Sequence, residues 1–372
     1  MNRSIPKNSI VVVAMTVGVD SSVAAALLAQ QGYRVIGITM KLWEFREVGG
    51  NTKREATCCT IETMNDARDV CQTLGIPHYV VDFRDDFNRY VVDDFVSEYL
   101  LGRTPNPCIN CNIKIKWESL LNKMDELGAD YLATGHYARI GYSESKNRYY
   151  VQNATFAAKD QSYALWGLTQ KSLSRTIFPL GEMTKAEVRK TADKLGLKTA
   201  DKVESQEICF VPDNDYRRLL KERLLANNEN QNIGGNIVTT DDATIGTHEG
   251  YPYFTIGQRR GLGIALGKPA YVVDILPEEK KIVVGNKSDL LKKGLLASKI
   301  NWSAIDALKG PSRFFVKIRY RDPGAFATVS AKGKDLVEVL FDDPQFAITP
   351  GQSVVFYDDD KVVGGGIIEK SF

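Results

Sequence analysis

The apolar residues in the first half of the chain recur with two periods. Continuous runs such as Ser9–Met15 (SIVVVAM) and Arg34–Met40 have the length and β-branched content of strands buried on both faces. Between them Ser21–Gln31, rich in Ala and Leu, predicts a helix. After a polar gap over 44–60 the alternation resumes with a helix over Glu62–Gly75, a strand over His78–Asp82 and a helix over Asp85–Leu101. A helix over Asn112–Leu127 follows, with Ile113, Trp117, Leu120, Leu121, Met124 and Leu127 on one stripe, and then a strand over Tyr131–Thr134. Thr184 with Glu187 three residues on forms a capping box that opens a helix to Leu195, and Gly196 suits its stop. Strands alternating with helices require parallel βαβ units, and so an open α/β sheet.

Beyond residue 232 the period changes. Short alternating segments, Tyr271–Ile275, Lys281–Gly285, Phe314–Tyr320, Leu336–Phe341, Ser353–Tyr357 and Val362–Ile368, are separated by Gly-rich or acidic turns. The pattern predicts an α/β domain over 1–212, a small central module over 213–278, and an all-β barrel or sandwich over 279–372.

Composition narrows the class without changing that division. With 43% hydrophobic and 25% charged residues, the chain is neither disordered, collagenous nor a coiled coil. Its apolar runs fall short of the roughly 20 residues that cross a bilayer, and MNRSIPKNSI lacks a signal-peptide core. Cytoplasm is the expected location. A net charge of +2 neither demands nor excludes nucleic acid. Six cysteines in 372 residues make no disulfide scaffold; in a reducing compartment they are catalytic, metal-binding or buried.

Two places carry candidate chemistry. The strand Ser9–Met15 runs into Thr16-Val17-Gly18-Val19-Asp20-Ser21-Ser22 and then a helix. A loop at the carboxyl end of a parallel strand, backed by a helix N-terminus, suits a phosphate. Neither the Walker nor the dinucleotide glycine pattern is present. The plain reading is a βα turn capped by Asp20 or Ser21. The second place is the turn Arg103-Thr104-Pro105-Asn106-Pro107, which leads into Cys108-Ile109-Asn110-Cys111 at a helix start. A helix N-terminus with Lys114 and Lys116 nearby favours thiolates. A zinc pair, a redox pair and incidental buried thiols compete there, whereas Cys71, beside Val70 and Leu74, fits a buried thiol. Cys209 lies far along the chain in Ser205-Gln206-Glu207-Ile208-Cys209-Phe210.

The first loop resembles the S-G-G-x-D-S pyrophosphate loop of the PP-loop ATP-pyrophosphatases. Further stretches make the resemblance specific to the tRNA-specific 2-thiouridylases. They are Thr104-Pro105-Asn106-Pro107 with Cys111-Asn112, Ala133–Tyr137 (ATGHY), Lys159–Tyr163 (KDQSY), Ser205–Phe210 (SQEICF), Thr255–Gly263 (TIGQRRGLG), Arg319-Tyr320-Arg321 and Gly351-Gln352-Ser353. The resemblance covers nearly the whole chain. It implies an adenine-nucleotide-hydrolase-like first domain, a tRNA-binding C-terminal β-barrel, and ATP-dependent replacement of the wobble-uridine 2-oxygen by sulfur. It also implies Cys111 as nucleophile and Cys209 as persulfide carrier, joined in a disulfide after transfer. ATP contacts fall on Ala14, Met15, Thr16, Val17, Gly18, Val19, Asp20, Ser21, Met40 and Gly135. Asn106, Pro107 and Cys108 touch the target base. Lys159, Asp160, Gln161, Arg319 and Tyr320 touch tRNA, with His136 and Gln352 near it. Magnesium rides on ATP, with Asp20 as its one protein candidate. The implied partners are tRNA and a sulfur-relay or cysteine-desulfurase donor. A monomer is compatible with the sequence, which does not fix the oligomeric state.

Two positions depart from the family: Cys108 stands where some relatives have Asp, and Val17 replaces a Gly. A left-handed backbone there would cost valine about 1–2 kcal/mol. A catalytically impaired tRNA-binding homologue and another PP-loop synthetase are the competing readings. Arg259-Arg260 among glycines reads as a phosphate contact or a solvated turn. Arg313, Lys317, Arg319 and Arg321 predict a basic strand face, with Phe315 for stacking.

Overall fold

The computed structural model describes residues 5–16, 18–44, 61–200, 208–226, 232–264 and 267–372. Val17, Cys58, Cys59 and Ser205-Gln206-Glu207 lie outside the described residues. Among the described residues, no helix is long and apolar enough to cross a membrane.

The first domain holds a five-stranded parallel sheet in the spatial order His78–Asp82, Arg34–Lys41, Ile10–Met15, Tyr131–Ala133, Thr176–Ile177. The central strand shows why a continuous apolar run was needed. Val11, Val13 and Met15 pack against Val23 and Leu28 of helix Val19–Gln30, Val70 and Cys71 of helix Ile61–Leu74, and Val188 and Ala192 of helix Lys185–Lys194. Val12 and Ala14 face the other way, onto Phe87, Phe95, Trp117 and Leu120. Period two along one strand thus feeds two cores.

The central module is a four-stranded sheet ordered Tyr271–Leu276, Lys281–Gly285, Gly235–Thr239, Thr244–His248. The hairpin that spans position 278 lies wholly within this sheet, because Val272, Ile282 and Val284 share its core with Ile237. The module therefore ends beyond Gly285 rather than at 278. It docks on the first domain through a stacked Tyr99–Tyr216 pair, 4.8 Å between centroids, and through the Tyr251 hydroxyl, which donates to the Leu100 carbonyl at 2.8 Å.

The last domain is a closed antiparallel barrel of six strands. Leu291–Trp302, Leu336–Phe346, Ala325–Ala331, Ser312–Lys317, Ser353–Asp358 and Lys361–Ser371 follow one another, and the last pairs back onto the first. Closure leaves no exposed edge. Of the two expected shapes it is the barrel. A hairpin of the first domain, Ala138–Ser143 with Arg148–Asn153, joins the barrel sheet through Lys361 opposite Gln152. The strand expected over Phe314–Tyr320 stops at Lys317, since the buried Asp322 carboxylate accepts the Ile318 amide at 3.0 Å and turns the chain. Arg319 and Arg321 thus lie beyond the strand. Arg313 pairs with Asp342, so the basic face is also not free of acid.

Candidate active site

The loop after the first strand is folded around one hydroxyl. Ser21 Oγ accepts the Thr16 amide at 3.0 Å and donates toward the Thr16 and Gly18 carbonyls at 3.0 and 3.2 Å. Ser22 Oγ donates to the Gly18 carbonyl at 3.2 Å. The serine hydroxyls expected to face a phosphate are spent inside the loop, and the first-turn amides of helix Val19–Gln30 are the donors without intrahelical partners. Gly18 caps that helix in an extended conformation, φ −83° and ψ 153°. Gly135 presses on the same turn. A Cβ there would come within 2.8 Å of Asp20 and the Ser21 amide, so only glycine lets the two segments meet. Ala14 and Met40 lie in the cores beneath.

Asp20 is not left to a metal alone. Lys185 Nζ donates to both its carboxylate oxygens, at 2.7 and 2.9 Å, and the Tyr137 hydroxyl donates to it at 2.7 Å. Lys185 opens helix Lys185–Lys194, which Thr184 and Glu187 cap reciprocally. The Thr184 backbone and hydroxyl donors hold the Glu187 carboxyl below its usual range. Lys185 and Tyr137 belong to this site and were missed; the capping box was the one sequence signal near Lys185. Among the described residues no group of three or more His, Cys, Asp or Glu could hold a metal. A single carboxylate, Asp20, suits a magnesium ion carried by nucleotide phosphates.

The second half of the site surrounds the thiols. Pro107 opens a turn of α-helix, Pro107–Asn110, which widens into a π-helical stretch over Cys111–Ser119. Such widened stretches recur at functional sites. Cys108 is exposed and Cys111 half-buried. Asn110 on one side of Cys111 donates to Asp94 at 2.6 Å. Asn112 on the other side donates to the Ala164 carbonyl and accepts from Lys116 Nζ, both at 2.9 Å. Burial pushes the Asp94 carboxyl above its usual range, and Glu98 adds to the shift. Cys209 is half-buried beside Phe210, whose ring meets Phe95 and Phe87 edge-on at 5.3 and 5.6 Å. Cys111 and Cys209 both pack on one core cluster, and their neighbours anchor on the adjacent residues Asp94 and Phe95 of helix Asp93–Leu100. Two thiol-bearing segments far apart in sequence thereby contact one helix. Cys71 is different: it is buried, and desolvation raises its thiol to about 11.

All three domains grip the turn that leads to Cys108. Gly102, at φ +69°, lies against Ile275 and Pro277 of the central module, where any Cβ would clash. The Thr104 amide donates to the Pro350 carbonyl at 2.9 Å. Gln352 Nε2 donates to the Thr104 and Pro105 carbonyls at 2.9 and 3.1 Å. Arg103 is paired with Glu98 of its own domain and Glu369 of the barrel. Gln352, expected near RNA, thus positions the turn that includes Asn106 and Pro107.

The expected RNA contacts fall in two places. Asp160 and Tyr320 meet: the Tyr320 hydroxyl donates to the Asp160 carbonyl at 3.1 Å, so the Lys159–Gln161 turn and the Arg319–Arg321 turn adjoin. The Asp160 and Gln161 side chains also serve the fold, accepting the Ala154 and Tyr137 amides at 2.8 and 2.9 Å. Arg319 donates to the Phe346 carbonyl at 2.9 Å. His136 is sunk between Trp117 and Phe178, with Nδ1 2.8 Å from Thr134 Oγ1. Burial, with the Lys116 charge, keeps it neutral, its pKa well below 6.5.

Comparison with known proteins follows the same division. The tRNA methyl transferase HUP domain family matches residues 9–213, the tRNA methyl transferase PRC-barrel domain family 222–286, and the aminomethyltransferase β-barrel domain family 292–368. The tRNA-specific 2-thiouridylase MnmA of Carboxydothermus hydrogenoformans is 53% identical over 364 residues, 97% of each chain. Its namesake in Salinibacter ruber is 49% identical, covering 98% of this chain and 95% of the relative. That of Clostridioides difficile is 48% identical, covering 98% and 99%. Likeness of that degree along all three domains settles the family: the chain belongs to the tRNA-specific 2-thiouridylases.

Proposed function

We propose that this protein is an ATP-dependent tRNA sulfurtransferase that converts the wobble uridine to 2-thiouridine. The observation that carries the reading is the convergence of the Cys111 and Cys209 segments on one helix, Asp93–Leu100, in the domain that holds the nucleotide loop. Family membership supplies the reaction class.

A uridine 2-carbonyl is a poor electrophile with a poor leaving oxygen. Attack of that oxygen on the α-phosphorus of ATP makes an adenylate and releases pyrophosphate, which the first-turn amides at Gly18–Ser22 and the Lys185 ammonium would hold. Magnesium, when bound with the nucleotide, neutralises phosphate charge. The terminal sulfur of a persulfide on Cys209 then bonds to C2 and AMP departs. Cys111 as thiolate attacks the Cys209 sulfur; the sulfur–sulfur bond breaks toward the base, leaving the thione and a Cys111–Cys209 disulfide. A thiol reductant and a sulfur-donor protein reset the pair. The uridine must leave its stack to be reached, and the braced turn at Asn106–Cys108 is the proposed receiver. The work takes place in the cytoplasm, where the RNA substrate is.

The test is nucleoside mass spectrometry of tRNA from cells with and without the gene. Loss of 2-thiouridine on deletion, and tRNA-dependent AMP formation by the purified chain, are the expected results. Unchanged 2-thiouridine would refute the reading.

A further inference from the structure

The transfer chemistry uses two thiols and leaves a third beside them without a task. Cys108 is exposed, whereas Cys111 and Cys209 are half-buried and pack on the core of the first domain. Cys111 lies three residues beyond Cys108, and the turn between them is tight: the Cys111 amide donates to the Cys108 and Pro107 carbonyls together. Residues three apart on a helical turn share a face, with Cβ atoms about 5–6 Å apart. A disulfide asks for Cα atoms about 4.4–6.8 Å apart and Cβ atoms about 3.5–4.5 Å apart. A small adjustment of one turn therefore joins Cys108 to Cys111. The adjustment falls at a junction, since the α-helical turn Pro107–Asn110 gives way at Cys111 to the π-helical stretch.

Cys209 is placed differently. The Val211 amide donates to the Ile208 carbonyl at 2.9 Å and closes a turn around it, while Phe210 is buried against Phe87 and Phe95. Cys209 is thus tied to the core and Cys108 faces solvent. Cys111 belongs to both: it shares a turn with Cys108 and a core cluster with Cys209. A disulfide between Cys111 and Cys209, the end state of the proposed transfer, is held by two half-buried sulfurs. Thiol–disulfide exchange needs access to the sulfur attacked, and a reductant in solution has less of it than Cys108 has.

We propose that Cys108 is a resolving thiol, which reopens the Cys111–Cys209 disulfide after each transfer and moves the disulfide to the protein surface. The proposal rests on the thiouridylase reading above. Cys108, as thiolate, attacks the Cys111 sulfur. The Cys108–Cys111 bond forms, the Cys111–Cys209 bond breaks, and the electron pair leaves on Cys209, which takes up a proton. Cys209 is then a thiol ready for the next sulfur. A dithiol reductant in solution supplies two electrons and two protons to the exposed Cys108–Cys111 disulfide and itself becomes a disulfide. The receiving turn sets the order of events. A uridine held at Asn106–Cys108 covers Cys108, and departure of the thiolated base uncovers it, so resolution follows transfer rather than competing with it.

The test takes the full chain, loaded on Cys209 by a cysteine desulfurase with L-cysteine and then desalted, through one turnover with ATP and tRNA in the absence of reductant. The mixture is quenched with an alkylating agent, and linked peptides are identified by mass spectrometry. Wild type is expected to carry a Cys108–Cys111 linkage with Cys209 alkylated, and Cys108→Ser to stop at Cys111–Cys209. In steady state with a limiting protein dithiol, Cys108→Ser should give a burst of about one 2-thiouridine per chain and then slow. Its deficit relative to wild type should shrink as a small dithiol is added in excess. Cys108→Ala should behave as Cys108→Ser does, which separates loss of the thiol from any effect of the new hydroxyl. Wild type that ends on Cys111–Cys209 with Cys108 alkylated overturns the proposal. So does a Cys108→Ser deficit that stays constant at every dithiol concentration, which would confine Cys108 to contact with the base. Formation of 2-thiouridine with neither disulfide in wild type would instead sink the disulfide step of the reading above, and the proposal with it; absence of 2-thiouridine would sink the thiouridylase reading itself.

Discussion

The nucleotide loop and the thiol turn solve the same problem, holding reactive groups still, in opposite ways. The loop at Thr16–Ser22 closes on itself through Ser21 and is clamped by Gly135, Tyr137 and Lys185, all within one domain. The turn at Gly102–Pro107 is tied to its own domain through Glu98 and Tyr99, yet also needs the other two. It is held by Pro277 of the central module and by Pro350, Gln352 and Glu369 of the barrel. On the proposed reading, activation would draw on one domain and sulfur transfer on three.

That contrast can be broken most severely at the thiols. Cys111→Ser and Cys209→Ser should each abolish 2-thiouridine formation in a reconstituted assay while ATP binding stays near wild type. Cys108→Ser should retain much activity, and Cys71→Ser should only perturb stability. Full activity of the Cys209 variant would remove the persulfide assignment. Next in size, Lys185→Met should lower tRNA-dependent AMP formation by roughly 10²-fold, the scale of a lost charge-stabilising donor, with tRNA affinity unchanged; a change in tRNA affinity instead would mean that Lys185 acts through the fold.

Gln352→Ala tests the opposite side. It removes two hydrogen bonds to the thiol turn, each contributing about 1 kcal/mol. Thiolation should slow roughly tenfold with an unaltered ATP Michaelis constant. Equal loss in both half-reactions would deny the separation. The smallest effect is on acid stability. His136 has a folded pKa well below 6.5 because of burial, and His78 and His248 are lowered by burial as well. The unfolded chain therefore binds more protons below pH 6.5. Stability should fall as pH drops from 6.5 toward the folded values, by up to ~1.4 kcal/mol per pH unit for each histidine. Melting curves of His136→Gln should show a shallower acid slope; an identical slope would show that His136 does not titrate this way.

The two regions also differed in how far the sequence revealed them. Strands buried on both faces announce themselves as continuous apolar runs, so the first sheet was readable from Ser9–Met15 and Arg34–Met40. The barrel strand Leu291–Trp302 was not, because irregularities at Lys292/Gly294, Leu296/Ala297 and Ser298/Asn301 break its alternation. The hairpin at Ala138–Asn153 escaped because few of its residues are buried. Family motifs singled out Cys111 and Cys209, but the contact of both segments with helix Asp93–Leu100 was not legible, since Asp94 and Phe95 mark it only through tertiary contacts. Lys185 lies 165 positions from Asp20; nothing local at a helix start tells a lysine that pairs with a distant loop from a surface one.

Barrel closure has a consequence for synthesis. The strand that seals the barrel, Lys361–Ser371, is the last of the six to emerge from the ribosome, and it carries Glu369, the partner of Arg103. Pairing it with Leu291–Trp302 is a long-range contact, the slow kind in folding. The printed contacts of the Thr16–Ser22 loop all lie within the first domain, so a nascent chain can form them before the thiol turn is braced by the barrel. A chain cut short of Lys361 would bring the Cys111 and Cys209 segments to helix Asp93–Leu100 but lack Glu369, so the last strand to be made completes the brace on Arg103.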